Sequence, residues 1–434
     1  MIVRPASGLR EEATDLLRAL VRLDTVNPPG NETRAAELLR DHLAAQGIPA
    51  TLVGRVPERA NLVARLPGGD GPSLAFLCHT DTVLADPGEW ERDPWSGELV
   101  DGEVWGRGAL DMKGQVAASA VAFASLWREG LRPAGDLLLV ATADEEVGDG
   151  FGLEWLVEEH PNLVRADYAL NEGGGERIEL VGSPYYLCAT AEKTSAPFRL
   201  RVRGRSGHAA APGIADNALV KAARCVEAIA ALEPPRELIP EVRRFLELTL
   251  GEAPPAEAAL GRARDRLGPL AAELLEPLLS TTLAPTMIEA SRQRNVIPAL
   301  CEVTVECRIL PGRGPADVEP LVRAALGPGD WELEWIERTG GTRSPLDTPL
   351  WTALDDFVSQ LEPGARLAPV CCAGFTDSHW LRQAFGTVAY GFFPMRAMDP
   401  ELAARLVHSA DERMRVDDLE LGVEALRRAA LALL

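Results

Sequence analysis

Basic residues are scarce in this sequence: 44 Lys and Arg stand against 65 Asp and Glu, a formal net charge of −21. Proteins are drawn to phosphate backbones and anionic lipid by clustered Lys and Arg, so the deficit argues against nucleic acid and the membrane surface as partners. Long apolar runs are missing too. No stretch of eighteen or more apolar residues, about what a helix needs to cross a bilayer, occurs along the chain. The opening MIVRPASGLREEATDLLRALVRLDTVNPPG lacks the basic head, apolar run and cleavage site of an export signal. It reads as an amphipathic helix over Leu17, Leu20, Val21 and Leu23, and a cytoplasmic protein is expected. The cysteines, Cys78, Cys188, Cys225, Cys301, Cys307, Cys371 and Cys372, form no CxxC pair, which excludes the common zinc-ribbon and dithiol motifs and leaves reduced core thiols. A G-x-S-x-G nucleophile elbow is also absent, since Ser206 in GRSGH has no second spaced glycine.

What is present is ordinary globular composition, 46% apolar and 25% charged, in 434 residues, more than one hydrophobic core usually supports. Two domains are expected. From about residue 10 to 190, amphipathic helices such as ETRAAELLRDHLAAQG alternate with the short apolar runs NLVARLP, SLAFLCHTD, DLLLVATADEE and DYALNEG. Such alternation predicts an α/β fold, a mostly parallel central sheet with helices on both faces, whose chemistry gathers at strand ends. At about Ala196 the order changes. APFRLRVRG, NALVKAARCVEAIAAL, TMIEASRQ, ALCEVTVECRIL, GPADVEPLVRAAL and WELEWIER predict an inserted β-α-β-β-α-β domain. The expected division is therefore 1–192 and 341–434 for the first domain and 193–340 for the second. Within the second, residues 234–282 form a Pro-punctuated helical insertion that either gates a site or decorates the surface. No internal repeat or long low-complexity tract is visible.

Acidic residues and histidines recur at the ends of the apolar runs. In SLAFLCHTDTV, His79 and Asp81 are two apart, so in extended backbone they point the same way and Asp81 can hold the second ring N–H of His79. In GRGALDMKGQ, Asp111 follows a glycine-rich turn; its two oxygens could bridge two cations, or the residue could simply cap the following helix. Asp144, Glu145 and Glu146 are consecutive at the end of an apolar strand, which is costly unless a cation or proton compensates them or the loop is solvated. Glu172 in DYALNEGGG and His408 in LVHSADERM repeat the theme, and only six histidines exist. Imidazoles beside carboxylates suit Zn²⁺, Mn²⁺ or Co²⁺. His208, in the Gly/Pro-flanked GRSGHAAAP, could be structural.

Taken in order, HTDT, GRGALDMKG, ADEEVG, NEGGG, GRSGHAAAP, NVIP and HSADE resemble the co-catalytic zinc hydrolases that include aminoacylase, glutamate-releasing carboxypeptidases, acetylornithine deacetylase, succinyl-diaminopimelate desuccinylase and cytosolic dipeptidases. The resemblance covers nearly the whole chain. It implies two divalent metal ions, with Asp111 as the bridge, His79 and Glu172 completing one site, and Glu146 and His408 the other. It makes Glu145 the general acid/base, Asp81 the partner of His79, and the Asp111-Met112 peptide cis. The inserted domain becomes a lid and dimerisation domain. His208 would contact the developing oxyanion, commonly in the other subunit of a homodimer, and Asn295 and Arg308 would lie near the substrate carbonyl and carboxylate. For Arg308 a salt-bridged strand end remains the competing reading. GFTDSHW, with Gly374 and Asp377, resembles the family's substrate loop; His379 is not expected to be a ligand.

The implied reaction is hydrolysis of an amide in a small N-acyl amino acid or dipeptide-like substrate, with an exopeptidase on short peptides as the near alternative. An inactive metal-binding scaffold would be expected to have lost Glu145, a ligand or His208, and all are intact. The insertion at 234–282 is longer than in the simplest members, so the acyl group and amino acid stay open.

Overall fold

The computed structural model describes residues 8–434, which divide into two compact units. The first comprises the chain up to Thr190 with Ser344–Val370 and Thr376–Leu434. The second comprises Ala191–Arg343 with Cys371–Phe375, so the segment holding Gly374 belongs to the second unit.

The first unit is built on a nine-stranded sheet whose order is Ala50–Gly54, Ala60–Leu66, Leu137–Thr142, Leu74–His79, Tyr168–Asn171, Val388–Gly391, Ser183–Glu192 and Arg366–Cys372, with Arg177–Leu180 paired to Ser183–Glu192. Its centre is parallel, from Leu137–Thr142 through Val388–Gly391, and antiparallel strands flank it. The two central strands LAFLCH and LLLVAT are buried at every position, as expected where helices cover both faces. Side chains alternate between those faces. Phe76, Cys78, Leu137 and Leu139 enter one core with the helices Leu9–Val21, Gly114–Arg128 and Val416–Leu433, whereas Ala75, Leu77, Leu138 and Val140 enter another with Leu153, Leu156 and Leu381.

Gly114–Arg128 is buried from Gly114 to Leu126, and its Ala- and Ser-rich sequence lets it lie between the sheet and the helices Leu9–Val21 and Val416–Leu433. A small antiparallel sheet joins Glu98–Val100, Glu103–Trp105 and Arg413–Arg415. This pairing links the segment just before Asp111 to the segment just after His408.

In the second unit a six-stranded sheet runs in the order Trp331–Trp335, Phe198–Arg203, Leu300–Ile309, Thr194–Ser195, Thr339–Gly340, with Thr282–Glu289 also on Leu300–Ile309. Burial alternates along Phe198–Arg203 and Leu300–Ile309, and the buried face packs on the helices Ala218–Ala230 and Pro315–Leu326 through Leu200, Val303, Ala222 and Val322. Thr282–Glu289 begins four residues before the predicted TMIEASRQ strand and stops at Glu289. It pairs on one side only, and an edge strand tolerates Pro285, at which the register shifts. The 234–282 insertion forms the helices Pro240–Leu250, Ala256–Leu267 and Pro269–Leu275. Buried Lys193 ties down its end, with Nζ donating to the carbonyls of Pro277 at 2.8 Å and Ser280 at 3.0 Å.

Candidate metal centre

Three neighbouring parallel strands end side by side and each delivers acid or imidazole at its carboxyl end. Leu74–His79 ends on His79, Leu137–Thr142 runs into Asp144, Glu145 and Glu146, and Tyr168–Asn171 runs into Glu172. Carboxyl ends of parallel strands are where open α/β sheets place ligands. Asp111 approaches after the turn at Gly108, whose φ of 84° favours glycine and where a Cβ would lie 2.7 Å from the Thr82 methyl. The Asp111-Met112 peptide is cis.

Asp111 stands between the two histidines. Its Oδ1 is 3.2 Å from His79 Nε2 and its Oδ2 is 3.0 Å from His408 Nε2. Glu172 Oε1 lies 3.6 Å and Glu145 Oε2 4.0 Å from His79 Nε2, and Glu146 Oε2 lies 3.2 Å from His408 Nε2. The structure thus brings His79, Asp111, Glu145, Glu146, Glu172 and His408 into one cluster. By distance, His79 with Glu145 and Glu172, and His79 with Asp111 and Glu146, each form a set able to hold a cation. Of the two glutamates in the first set, Glu172 stands the nearer to His79.

Electrostatics favour cations here. Burial pushes the Glu145 carboxyl well above its usual range, with Glu172 adding to the rise, and burial lifts Glu172 to about 7. Glu146 is raised mainly by burial, and its Oε1 is buried with no hydrogen-bond partner among the described residues. Burial alone would lower the His79 pKa, yet Glu172, Asp111 and Asp81 hold it well above the ordinary histidine value. Hydrogen bonds to Asp111 and Glu146 raise His408 to about 10. In the absence of a cation, crowded carboxylates can relieve their repulsion only by keeping protons and by leaning on protonated imidazoles. A buried Glu146 oxygen and an aspartate reached by two imidazoles are a donor set that fits divalent cations.

Neighbouring groups fix the donors in place. His79 Nδ1 is 3.1 Å from the backbone carbonyl of Asp81, and 3.5 Å from its Oδ1. The carbonyl is the nearer acceptor, so the main chain takes the position that the HxD spacing assigned to the Asp81 carboxylate. The Asp81 carboxylate instead receives the backbone N–H groups of Glu145 and Glu146, both at 3.1 Å, and so positions the acidic turn.

The sequence reading passed over Glu412, which braces the cluster, and named Asp377 only as part of the GFTDSHW loop. Glu412, fully buried, accepts from the N–H of Gly108, Leu110 and Asp111 and pairs with Arg107 at 2.7 Å. It belongs to the HSADE motif, four residues after His408, and that placement was the available signal. Asp377 is buried beside the cluster, receives the Thr142 hydroxyl at 2.7 Å, and is raised to about 7 by burial. Asp144 and His408 both adopt positive φ, 66° and 59°, outside the usual range for residues with a side chain, a feature that concentrates at functional sites.

The remaining candidates lie in the second unit. His208 is exposed and its strand pairs with Val296–Ile297, and the Ala209 N–H donates to the Asn295 carbonyl at 3.0 Å; these contacts bring His208 and Asn295 together. Arg308 pairs with Glu306 at 2.6 Å, which is the salt-bridge reading of that residue. At Gly374 a Cβ would meet only the Cys372 sulfur, at 3.8 Å.

An α/β unit in which two imidazoles and three glutamates gather around one shared aspartate, His79 and the glutamates at parallel strand ends, defines a candidate metal centre. Residues 75–432 match peptidase family M20/M25/M40, and the chain belongs to this family. Among curated relatives, it is 35% identical over 236 residues to a succinyl-diaminopimelate desuccinylase of Rhodospirillum centenum, an alignment covering 50% of this chain and 56% of the relative. A Thioalkalivibrio sulfidiphilus protein of the same name is 32% identical over 235 residues, 51% of this chain and 57% of the relative. The chain thus spans a little over half the length of these curated relatives. Solved structures extend the likeness of fold to the whole chain. The M20 family metallo-carboxypeptidase Sso-CP2 of Sulfolobus solfataricus superposes with a TM-score of 0.74 at 17% identity, covering 97% of this chain and 99% of that one. Human carnosine dipeptidase 1 gives 0.70 at 19% identity, covering 99% of both.

Proposed function

We propose that the protein hydrolyses the amide bond of a small N-acyl amino acid or short peptide with the help of two divalent cations, Zn²⁺ foremost and Mn²⁺ or Co²⁺ as substitutes. His79, Asp111 and Glu172 would hold one, and Asp111, Glu146 and His408 the other. The observation that carries the proposal is the sharing of Asp111, with one oxygen 3.2 Å from His79 and the other 3.0 Å from His408.

When bound, such a pair supplies a water of lowered pKa and a positive charge beside the scissile carbonyl. The chain's own residues do the rest. Glu145, raised by burial towards the basicity of a working base, takes the proton of the attacking water and passes it to the leaving amine. Asp81 holds the turn that carries Glu145 through two backbone N–H groups. His79, packed by its neighbours and 1% exposed, cannot swing away.

In this scheme residues 1–192 and 341–434 act as the catalytic domain and residues 193–340 as a lid and dimerisation domain. His208 would stabilise the oxyanion, while Asn295, Arg308 and Gly374 would contact substrate. A homodimer is part of the proposal; exposed Met287 and Ile288 on the edge strand Thr282–Glu289 are surface of the kind such a contact covers. No helix among the described residues is long and apolar enough to cross a membrane. The free cysteines accord with a reducing compartment, which supports the cytoplasm.

The test is a hydrolysis screen of N-acetyl, N-succinyl and N-aminoacyl amino acids with Zn²⁺, Mn²⁺ or Co²⁺, on wild type and Glu145→Ala. Metal-dependent turnover is expected, with a loss of roughly 10²–10⁴-fold in the variant at unchanged metal content. Turnover that survives complete chelation would refute the proposal.

A further inference from the structure

Asn27 is a buried side chain that belongs to no strand or helix and contributes nothing to the apolar cores. It lies in TVNPPG, where Thr25 and Asn27 run alongside the strand end that bears His79. Thr25 Oγ1 donates to the Thr80 carbonyl at 2.7 Å, Thr82 N to the Thr25 carbonyl at 3.1 Å, and Asn27 N to the Thr82 carbonyl at 2.9 Å. Pro28 and Pro29 follow, and the Gly30 N–H closes back onto the Val26 carbonyl at 2.8 Å. The side chain therefore starts from a backbone fixed on both sides and is 3% exposed.

Its amide nitrogen stands between two buried carboxylates, donating to Asp81 Oδ2 at 3.0 Å and to Asp144 Oδ1 at 2.9 Å. The orientation follows from the acceptors. A carbonyl oxygen turned towards either carboxylate would be repelled, so both N–H groups face the acids, and Oδ1 is left buried without a partner among the described residues. The two acceptors act on the same turn from opposite ends. Asp81 accepts the N–H groups of Glu145 and Glu146. Asp144 immediately precedes them, with positive φ, and is itself held by Arg59 Nη2 at 3.0 Å and the Phe151 N–H at 3.0 Å. Arg59 in turn grips Glu32 with two nitrogens, at 2.7 and 2.8 Å. Asn27 is thus the neutral link that lets two like-charged carboxylates sit on either side of the acidic turn.

We propose that Asn27 is a positioning residue for the reaction, whose carboxamide clamps Asp81 to Asp144 and so aims Glu145 and Glu146 at the metal centre. The role rests on the hydrolase assignment above. Neither a hydrophobic residue nor an acid can replace it: the first gives neither donor, and the second places a third carboxylate against two others. Asp81 and Asp144 each keep other donors in either variant, so the fold itself should survive.

Asn27→Ala and Asn27→Asp, measured with saturating metal, are expected to lose roughly 10–100-fold in kcat while KM changes by less than about threefold. Competition with a chromophoric chelator should show Zn²⁺ affinity weakened by about 10-fold or more, since Glu146 moves with the turn. Asn27→Ala combined with Asp144→Ala should be no worse than the poorer single variant, because both act through one turn. A kcat within twofold of wild type together with unchanged Zn²⁺ affinity would overturn the proposal, as would strictly additive losses in the double variant. If wild type itself shows no turnover, the hydrolase assignment fails, and the Zn²⁺ affinity of the Asn27 variants still decides whether the clamp holds the turn.

Discussion

Glu412 illustrates how a buried carboxylate braces a cluster of side chains from outside it. Its two oxygens take the N–H groups of Gly108, Leu110 and Asp111 and the Arg107 guanidinium, all away from water, and these bonds fix the approach of Asp111 to both histidines. Burial raises its pKa, while Arg107 and the backbone donors oppose that rise. Removing it leaves Arg107 buried without its acid and three backbone donors unpaired. Glu412→Ala should therefore cost roughly 3–5 kcal/mol of stability, because breaking one side of a buried pair strands the other charge. Zn²⁺ affinity should fall by about 10–100-fold as Asp111 loses its support. Chemical denaturation and chelator competition check the two effects separately; a variant as stable as wild type with full metal affinity would contradict the bracing role. At this scale the sequence was legible for side chains that stand at the ends of apolar runs, such as His79 and Glu172, because strand endings are visible as pattern. Glu412 was signalled only by its place in HSADE, and Asn27 was not legible, because nothing local distinguishes a braced polar residue from a solvated one until its distant partners are known.

At the scale of elements, the first helix is tied to its neighbours by charge as well as by its apolar face. Glu12 on Leu9–Val21 takes both Arg128 nitrogens, at 2.9 and 2.8 Å, from the end of Gly114–Arg128, and lies 3.3 Å from His42 on Thr33–Ala44. Burial raises the Glu12 carboxyl, but hydrogen bonds from His42 and Arg128 outweigh it and bring the pKa from 4.5 down to about 2. A lowered folded-state pKa means stability that is fully present above about 4.5 and lost as pH falls through about 2. Glu12→Gln should thus be less stable than wild type near neutral pH by about 1 kcal/mol, with the gap narrowing as pH falls from about 4.5 and gone by about 2. Urea unfolding across that range measures it, and a gap that stays constant with pH would show that Glu12 contributes through packing alone. Helices of this kind were readable from their 3.6-residue periodicity. Several strands were not: SPYYLCATAE carries Pro, Ala and Cys and yet forms the buried Ser183–Glu192, because its place in the sheet overrides a modest strand preference. Thr282–Glu289 escaped in part because Pro285 demotes a strand by local rules that an edge position relaxes.

At the scale of the whole molecule, segments far apart in sequence meet around Asp111. The small sheet that pairs Glu103–Trp105 with Arg413–Arg415 carries Asp111 towards His408, and the parallel strand order sets His79 between the acidic turn and Glu172. The ordered motifs indicated that these segments converge, whereas the path of convergence, through strand order and a three-stranded side sheet, has no sequence pattern of its own. The most direct measurement is anomalous diffraction at the zinc edge from crystals of the protein grown with Zn²⁺. Two peaks should appear on either side of the Asp111 carboxylate, one beside His79 and Glu172 and the other beside Glu146 and His408. Zn²⁺ bound only elsewhere, with the space around Asp111 empty in an active protein, would contradict the account.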